Sequence, residues 1–130
     1  VPVKFPDLDF VWVEAGLGWA AYLIGRLNRE YGERRFDAPL LEHEPEYYVR
    51  RNHYFGNQPL EEYRDPSKLA NTIDTIGADN IVFASDFPHF DFDYPSMTNK
   101  FYGDLTAGER ERIFHGNAAD VFGIGDRITV

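Results

Sequence analysis

The apolar positions along the chain change period from block to block, and each block predicts an element. Leu8 to Glu14, Leu-Asp-Phe-Val-Trp-Val-Glu, is rich in β-branched and aromatic residues and predicts a strand. After the loop Ala15-Gly16-Leu17-Gly18, the residues Trp19, Tyr22, Leu23, Leu27 and Tyr31 recur at helical spacing. A long polar stretch from Gly32 to Glu46 follows, then a short helix over Pro45 to Arg51 with proline in its first turn. His53 to Gly56 reads as a second strand. Pro66 to Ile76 reads as a helix, with Asp65 as N-cap and Gly77 as C-cap. Asn80 to Ser85 carries four consecutive apolar residues, Ile81 to Ala84, as a strand buried on both faces does. It runs into Ser85 and Asp86, and Pro88 forbids further ladder pairing. Beyond an aromatic and acidic loop, Phe87 to Pro95, three helices are expected. They are Ser96 to Tyr102, Ala107 to Phe114 with Thr106 and Glu109 as a capping box, and Asn117 to Phe122 with Asn117 as N-cap and Gly123 as stop. The tail from Ile124 to Val130 is expected to be loose.

Three strands alternating with helices predict an α/β fold with parallel pairing and right-handed crossovers. In such a fold the C-terminal strand tips share one face, where ligands gather. That face would hold Glu14, the Asn57/Gln58 pair and Asp86, with His89 three residues beyond Asp86. A second reading of Asp86 stands beside this one: its carboxylate serves only to cap the turn. Asp91 and Asp93 fall short of a calcium motif and read as turn or rim residues.

Charge narrows the possible partners. The formal net charge of −9 repels nucleic acid and anionic membrane, and both are excluded as partners. There is no cysteine, so neither a disulfide nor a thiolate metal site is available, and any metal must be held by His, Asp or Glu. No apolar run approaches the roughly 18 residues that span a bilayer. No secretory leader is read, which makes a cytoplasmic location the expectation. The whole of 1–130 reads as a single domain without internal repeats. The chain opens at Val1 and its one methionine is Met97, so a chain processed or cut from something longer is expected.

Asn80-Ile-Val-Phe-Ala-Ser-Asp-Phe-Pro-His89 resembles the last barrel strand of the amidohydrolase-related proteins, the decarboxylase-like branch of the metal-dependent amidohydrolases. Phe5-Pro-Asp-Leu-Asp-Phe-Val-Trp-Val-Glu-Ala-Gly16 resembles the strand two places earlier, and Gly116-Asn117-Ala118-Ala119 with Phe122-Gly123 resembles the closing helix. The resemblance implies the C-terminal portion of a TIM (β/α)₈ barrel: three parallel strands with flanking helices. It implies a divalent metal, usually zinc, in the complete barrel, and hydrolysis or decarboxylation of a small carboxylic or aromatic substrate. Asp86 matches the family's last-strand aspartate, which binds the metal and handles the proton of its water. Glu14 stands where the family usually has histidine, and is the second catalytic candidate. Trp19 matches a position that often lines the substrate pocket, with core packing as its alternative. Gln58 and His89 complete the candidate substrate contacts.

Two consequences follow from that resemblance. The family's His-x-His strand and its fifth-strand histidine are absent here, and zinc takes three protein ligands or more. This chain by itself is therefore expected to lack a complete metal site, and a non-catalytic assembly or binding module is the rival reading. A barrel closes with about eight strands. The strands from Leu8 and from Asn80 are therefore both expected to be exposed edges, and the chain to associate with a copy of itself or with the missing barrel portion.

Overall fold

The computed structural model describes residues 1–125. Its elements in chain order are β1 (Phe10–Trp12), α1 (Gly18–Glu33), α2 (Pro45–Asn52), β2 (His53–Gly56), α3 (Ser67–Ile76), β3 (Ile81–Val82), α4 (Pro95–Phe101), α5 (Ala107–Glu111) and α6 (Asn117–Val121). The three strands form one parallel sheet in the order β1-β2-β3, as the alternating pattern implied. Most of the expected tail, 126–130, lies outside the described residues.

Register assigns the faces. Phe10 pairs with His53, Trp12 with Phe55, and Phe55 with Ile81, so these side chains share one face. Phe55 and Ile81 on that face join Leu17, Ala20 and Ile24 of the α1 region and Leu69, Ile73 and Ile76 of α3 in the core. Tyr102, Leu105 and Ile113 close the core from the C-terminal helices. Local signals placed two boundaries well. Gly77 ends α3 at φ 99°, where its N–H donates to the Ile73 carbonyl at 2.7 Å. Thr106 and Glu109 form the capping box in both directions.

The buried stripe of α1 differs from the one its periodicity suggested. Leu17, Ala20 and Ile24 are buried, whereas Tyr22 is 71% exposed. Leu23 and Leu27 instead line an apolar groove of about 200 Å³ with Trp12, Trp19, Tyr48 and His53, beside β1.

Both outer strands are shorter than expected, and β3 stops at Val82 for a visible reason. Its neighbouring backbone groups find partners outside a ladder. The Phe83 N–H donates to the Ile113 carbonyl at 3.0 Å, and the Ala84 N–H donates to Asn57 Oδ1 at 2.7 Å. Ile113 lies in a π-helical turn, Arg112–Gly116, joining α5 to α6 through residues with helical dihedrals. Asn117 is therefore inside a continuous helical rod and does not cap a separate helix. Its side chain is fully buried, and Nδ2 donates at 2.7 Å to both Ala78 O and Ile81 O.

These bonds correct one expectation about edges. The outer edge of β3 is covered, through Ile81 and Phe83, by Asn117 and the π turn. The outer edge of β1 is different: among the described residues no strand or hydrogen-bonding group covers it. Beside it Trp12 is 43% and Val13 66% exposed.

Candidate functional site at the strand tips

The three strand tips emerge on one face, each carrying polar side chains. Glu14 follows β1 and Asp86 follows β3, and both adopt left-handed backbone, at φ 55° and 58°. For residues with a Cβ this conformation costs free energy and persists only where the surroundings impose it. At Asp86 the surroundings are a tight turn. The His89 N–H donates to the Asp86 carbonyl at 2.9 Å, and His89 Nδ1 lies 2.8 Å from Asp86 Oδ1. The Asp86 side chain is 14% exposed and that of His89 64%. The turn thus sinks the carboxylate and leaves the far side of the imidazole in solvent. If the imidazole is neutral, this contact puts the proton on Nδ1 and leaves Nε2 as an acceptor.

The loop after β2 ties the other two tips together. Asn57 and Gln58 are buried. Asn57 Oδ1 receives the Ala84 N–H just before Asp86, and Gln58 Nε2 donates to the Asp91 carbonyl at 3.2 Å. Asp93 Oδ2 accepts the Leu60 N–H at 3.3 Å, and burial raises its pKa from the ordinary aspartate value. On the other side, the Gly16 N–H donates to Gln58 O at 3.3 Å. Glu61 Oε1 accepts the N–H groups of Leu17 and Gly18 at 2.8 and 2.7 Å. Reading the sequence alone does not single out Glu61, because a carboxylate capping a helix more than forty residues away leaves no local pattern.

Of the candidate residues, the structure brings Asp86 and His89 into contact. Glu14 is exposed at the β1 tip, with β2 between it and Asp86, and shares no metal-binding cluster with them among the described residues. Gln58 is committed to the Asp91 carbonyl. Trp19 donates its indole N–H to Gly16 O at 3.0 Å and packs edge-on against Trp12 and Phe55, on the helix side of the sheet. Among the described residues, no three His, Asp or Glu side chains converge where a metal ion could sit. The described residues by themselves therefore do not assemble a three-ligand metal centre. Tyr102, beneath this face, is buried, and desolvation raises its pKa well above the normal phenol range.

His53 has a structural part. Its Nδ1 accepts the Trp12 indole N–H at 3.0 Å, and its ring stacks on Phe10 at 4.9 Å.

A parallel sheet with its strands in sequential order, backed by helices and carrying carboxylates at its C-terminal tips, is the arrangement of successive units of a (β/α)₈ barrel. The amidohydrolase family model matches residues 1–124, and the chain belongs to that family. No curated protein matches it. Among solved structures, an amidohydrolase from Mycobacterium avium subsp. paratuberculosis superposes with a TM-score of 0.71 at 24% identity, over 94% of this chain and 30% of its own. The 5-carboxyvanillate decarboxylase of Sphingomonas paucimobilis gives 0.70 at 24% identity, over 98% and 36%. A dihydroxybenzoic acid decarboxylase from Polaromonas, described with bound manganese and the inhibitor 2-nitroresorcinol, gives 0.62 at 21% identity, over 95% and 36%. The chain thus spans about a third of the length of these neighbours. No helix among the described residues is long and apolar enough to cross a membrane.

The His53 contact predicts a pH dependence. Burial lowers the His53 pKa, with Asp9 opposing and the N-terminus adding to the shift. Folding then favours the neutral ring, while the unfolded chain takes up a proton near pH 6.5, the ordinary histidine value. Stability from this group is full above that pH and is lost as the pH falls toward the folded value. Melting temperatures between about pH 7 and 5 should decline, and His53→Gln should flatten the decline. An equal slope in the variant would place its origin elsewhere.

Proposed function

We propose that this chain supplies the last three β/α units of a metal-dependent amidohydrolase-type barrel, acting as a hydrolase or decarboxylase on a small carboxylic or aromatic substrate. The observation that carries the reading is Asp86: a largely sunken carboxylate at the tip of the last strand, in left-handed backbone, hydrogen-bonded to His89. Family membership supports the enzyme class. The decarboxylase neighbours, named for aromatic acids, support the substrate class. The resemblance favours zinc and one neighbour is described with manganese, so the reading commits to a divalent metal and to neither element. Because the described residues do not assemble three ligands, that metal must draw on groups beyond them.

The chain's own groups have defined work. Asp86 Oδ1 holds the His89 ring, and the pair can take up or release a proton at the substrate face. Glu14 is the second carboxylate, and Gln58 holds the loop that carries the pair. The rival reading is a non-catalytic assembly or binding module. Turnover separates the two. In the catalytically active form, Asp86→Asn should lower turnover on the order of 10²-fold or more, the scale of lost acid–base help, with the fold retained. An unchanged rate with a lowered melting temperature would reduce Asp86 to a turn residue.

The partner proposed is the rest of the barrel or a second copy, seated on the open edge of β1 and the adjoining groove rather than on β3. An uncovered edge beside large apolar side chains is a pairing site that folded proteins seldom leave free. Sedimentation velocity at micromolar concentration should give a species heavier than the 15.0 kDa chain. A clean monomer with a cooperative melt would contradict this.

A further inference from the structure

We propose that Glu61 is a positioning residue for the strand-tip face: it clamps the loop after β1 to the loop after β2 and so fixes where Glu14 stands relative to Asp86. The inference rests on the reading of that face as a catalytic site.

The 16-residue helix α1 has no side-chain cap of its own, because the residue preceding it is Leu17. Its leading N–H groups would otherwise lack partners. Glu61 meets that need from 44 residues away, one carboxylate oxygen taking both the Leu17 and Gly18 N–H groups. Hydrogen bonds from backbone N–H to a carboxylate at a helix N-terminus are strengthened by the charge and by the helix dipole. The loop is shaped around this oxygen. Gly16 sits at φ +66°, and a Cβ there would lie 2.7 Å from Glu61 Oε1 and 2.9 Å from the Pro59 carbonyl. Gly16 is fastened again by its N–H to Gln58 O and by the Trp19 indole on its carbonyl. Only Ala15 separates this clamp from Glu14, which is itself in left-handed backbone. On the other flank, the same β2 loop grips the Asp86 segment through Asn57 and Gln58. Glu61 thus completes a chain of contacts linking one candidate carboxylate to the other.

The test uses the full chain, with Glu61→Ala and Glu61→Gln followed by NMR. In Glu61→Ala, amide exchange at Leu17 and Gly18 should quicken by roughly tenfold or more, the scale of a lost cap. The ¹³C signal of the Glu14 carboxylate should move, while exchange at Phe83 stays as in the parent. Glu61→Gln keeps an acceptor oxygen and should restore both signals most of the way. If Glu61→Ala does not fold, Glu61→Asp, one methylene short, should displace the same signals. An unmoved Glu14 signal in the folded variant, or equal loss of protection at Leu17 and Phe83, would overturn the proposal. Failure of the catalytic reading is distinct: turnover would ignore Asp86→Asn while Glu14 still responded to Glu61→Ala.

Discussion

Backbone groups at the outer edge of β3 need partners, and the way they find them organises this structure. β3 is two residues long and Ile81 is fully buried, so an unmade hydrogen bond there would carry its full desolvation cost. Asn117 and the Ile113 carbonyl meet the demand from the C-terminal helical rod. In the π-helical turn the Asn117 N–H donates to the Arg112 carbonyl, so the Ile113 carbonyl, which a continuing α-helix would use internally, is free to accept from Phe83. With the rod fastened, Ile113 and Tyr102 seal the core, and the chain beyond Val82 is carried to a defined place. Asp86 owes its position to this fastening and to the Asn57 side chain that takes the next N–H but one.

The face at the strand tips is held by long-range bonds that radiate from one segment. Asn57, Gln58, Leu60 and Glu61 together contact the loops after β1 and after β3. Two left-handed carboxylate residues on either side of this hub place strain where chemistry is expected. Strained conformations gather at functional sites because the surrounding contacts hold the geometry against relaxation. The sheet is also asymmetric. Its β3 edge is closed from within, and its β1 edge is open beside an apolar groove, so growth toward a barrel has one free side among the described residues.

Much of this was legible in the sequence because the signals are local. Helix periodicity, the Thr106/Glu109 box, Gly77, the Ile81 to Ala84 run and the polar strand tips all express short-range physics. The long-range fastenings were not legible. Asn117 looks like an N-cap, since asparagine before a short apolar stretch usually is one, and nothing nearby reports that its amide reaches β3. Asn57 reads as part of a polar strand tip, with no sign that its side chain reaches the chain after β3, and Glu61 is one acidic residue in a run of charge. The α1 stripe was misplaced because Tyr22, Leu23 and Leu27 fit helical spacing as well as Ala20 and Ile24 do. Which of them is buried depends on how α1 packs against β2 and α3, which put Ala20 and Ile24 in the core. The Asp86 motif was legible, yet the pairing of its carboxylate with His89 appears only when the turn is folded.

The central claim is that Asn117 and the π turn close the β3 edge. The most direct test is native-state amide exchange at Phe83 in the parent chain and in Asn117→Ala. The account predicts that Phe83 in the parent is protected nearly as well as the slowest core amides. It also predicts that Asn117→Ala loses on the order of 3 kcal/mol of stability as one buried and one part-buried carbonyl lose their donor. A Phe83 amide exchanging as fast as those of the exposed 87–91 loop, or an Asn117→Ala variant as stable as the parent, would contradict it.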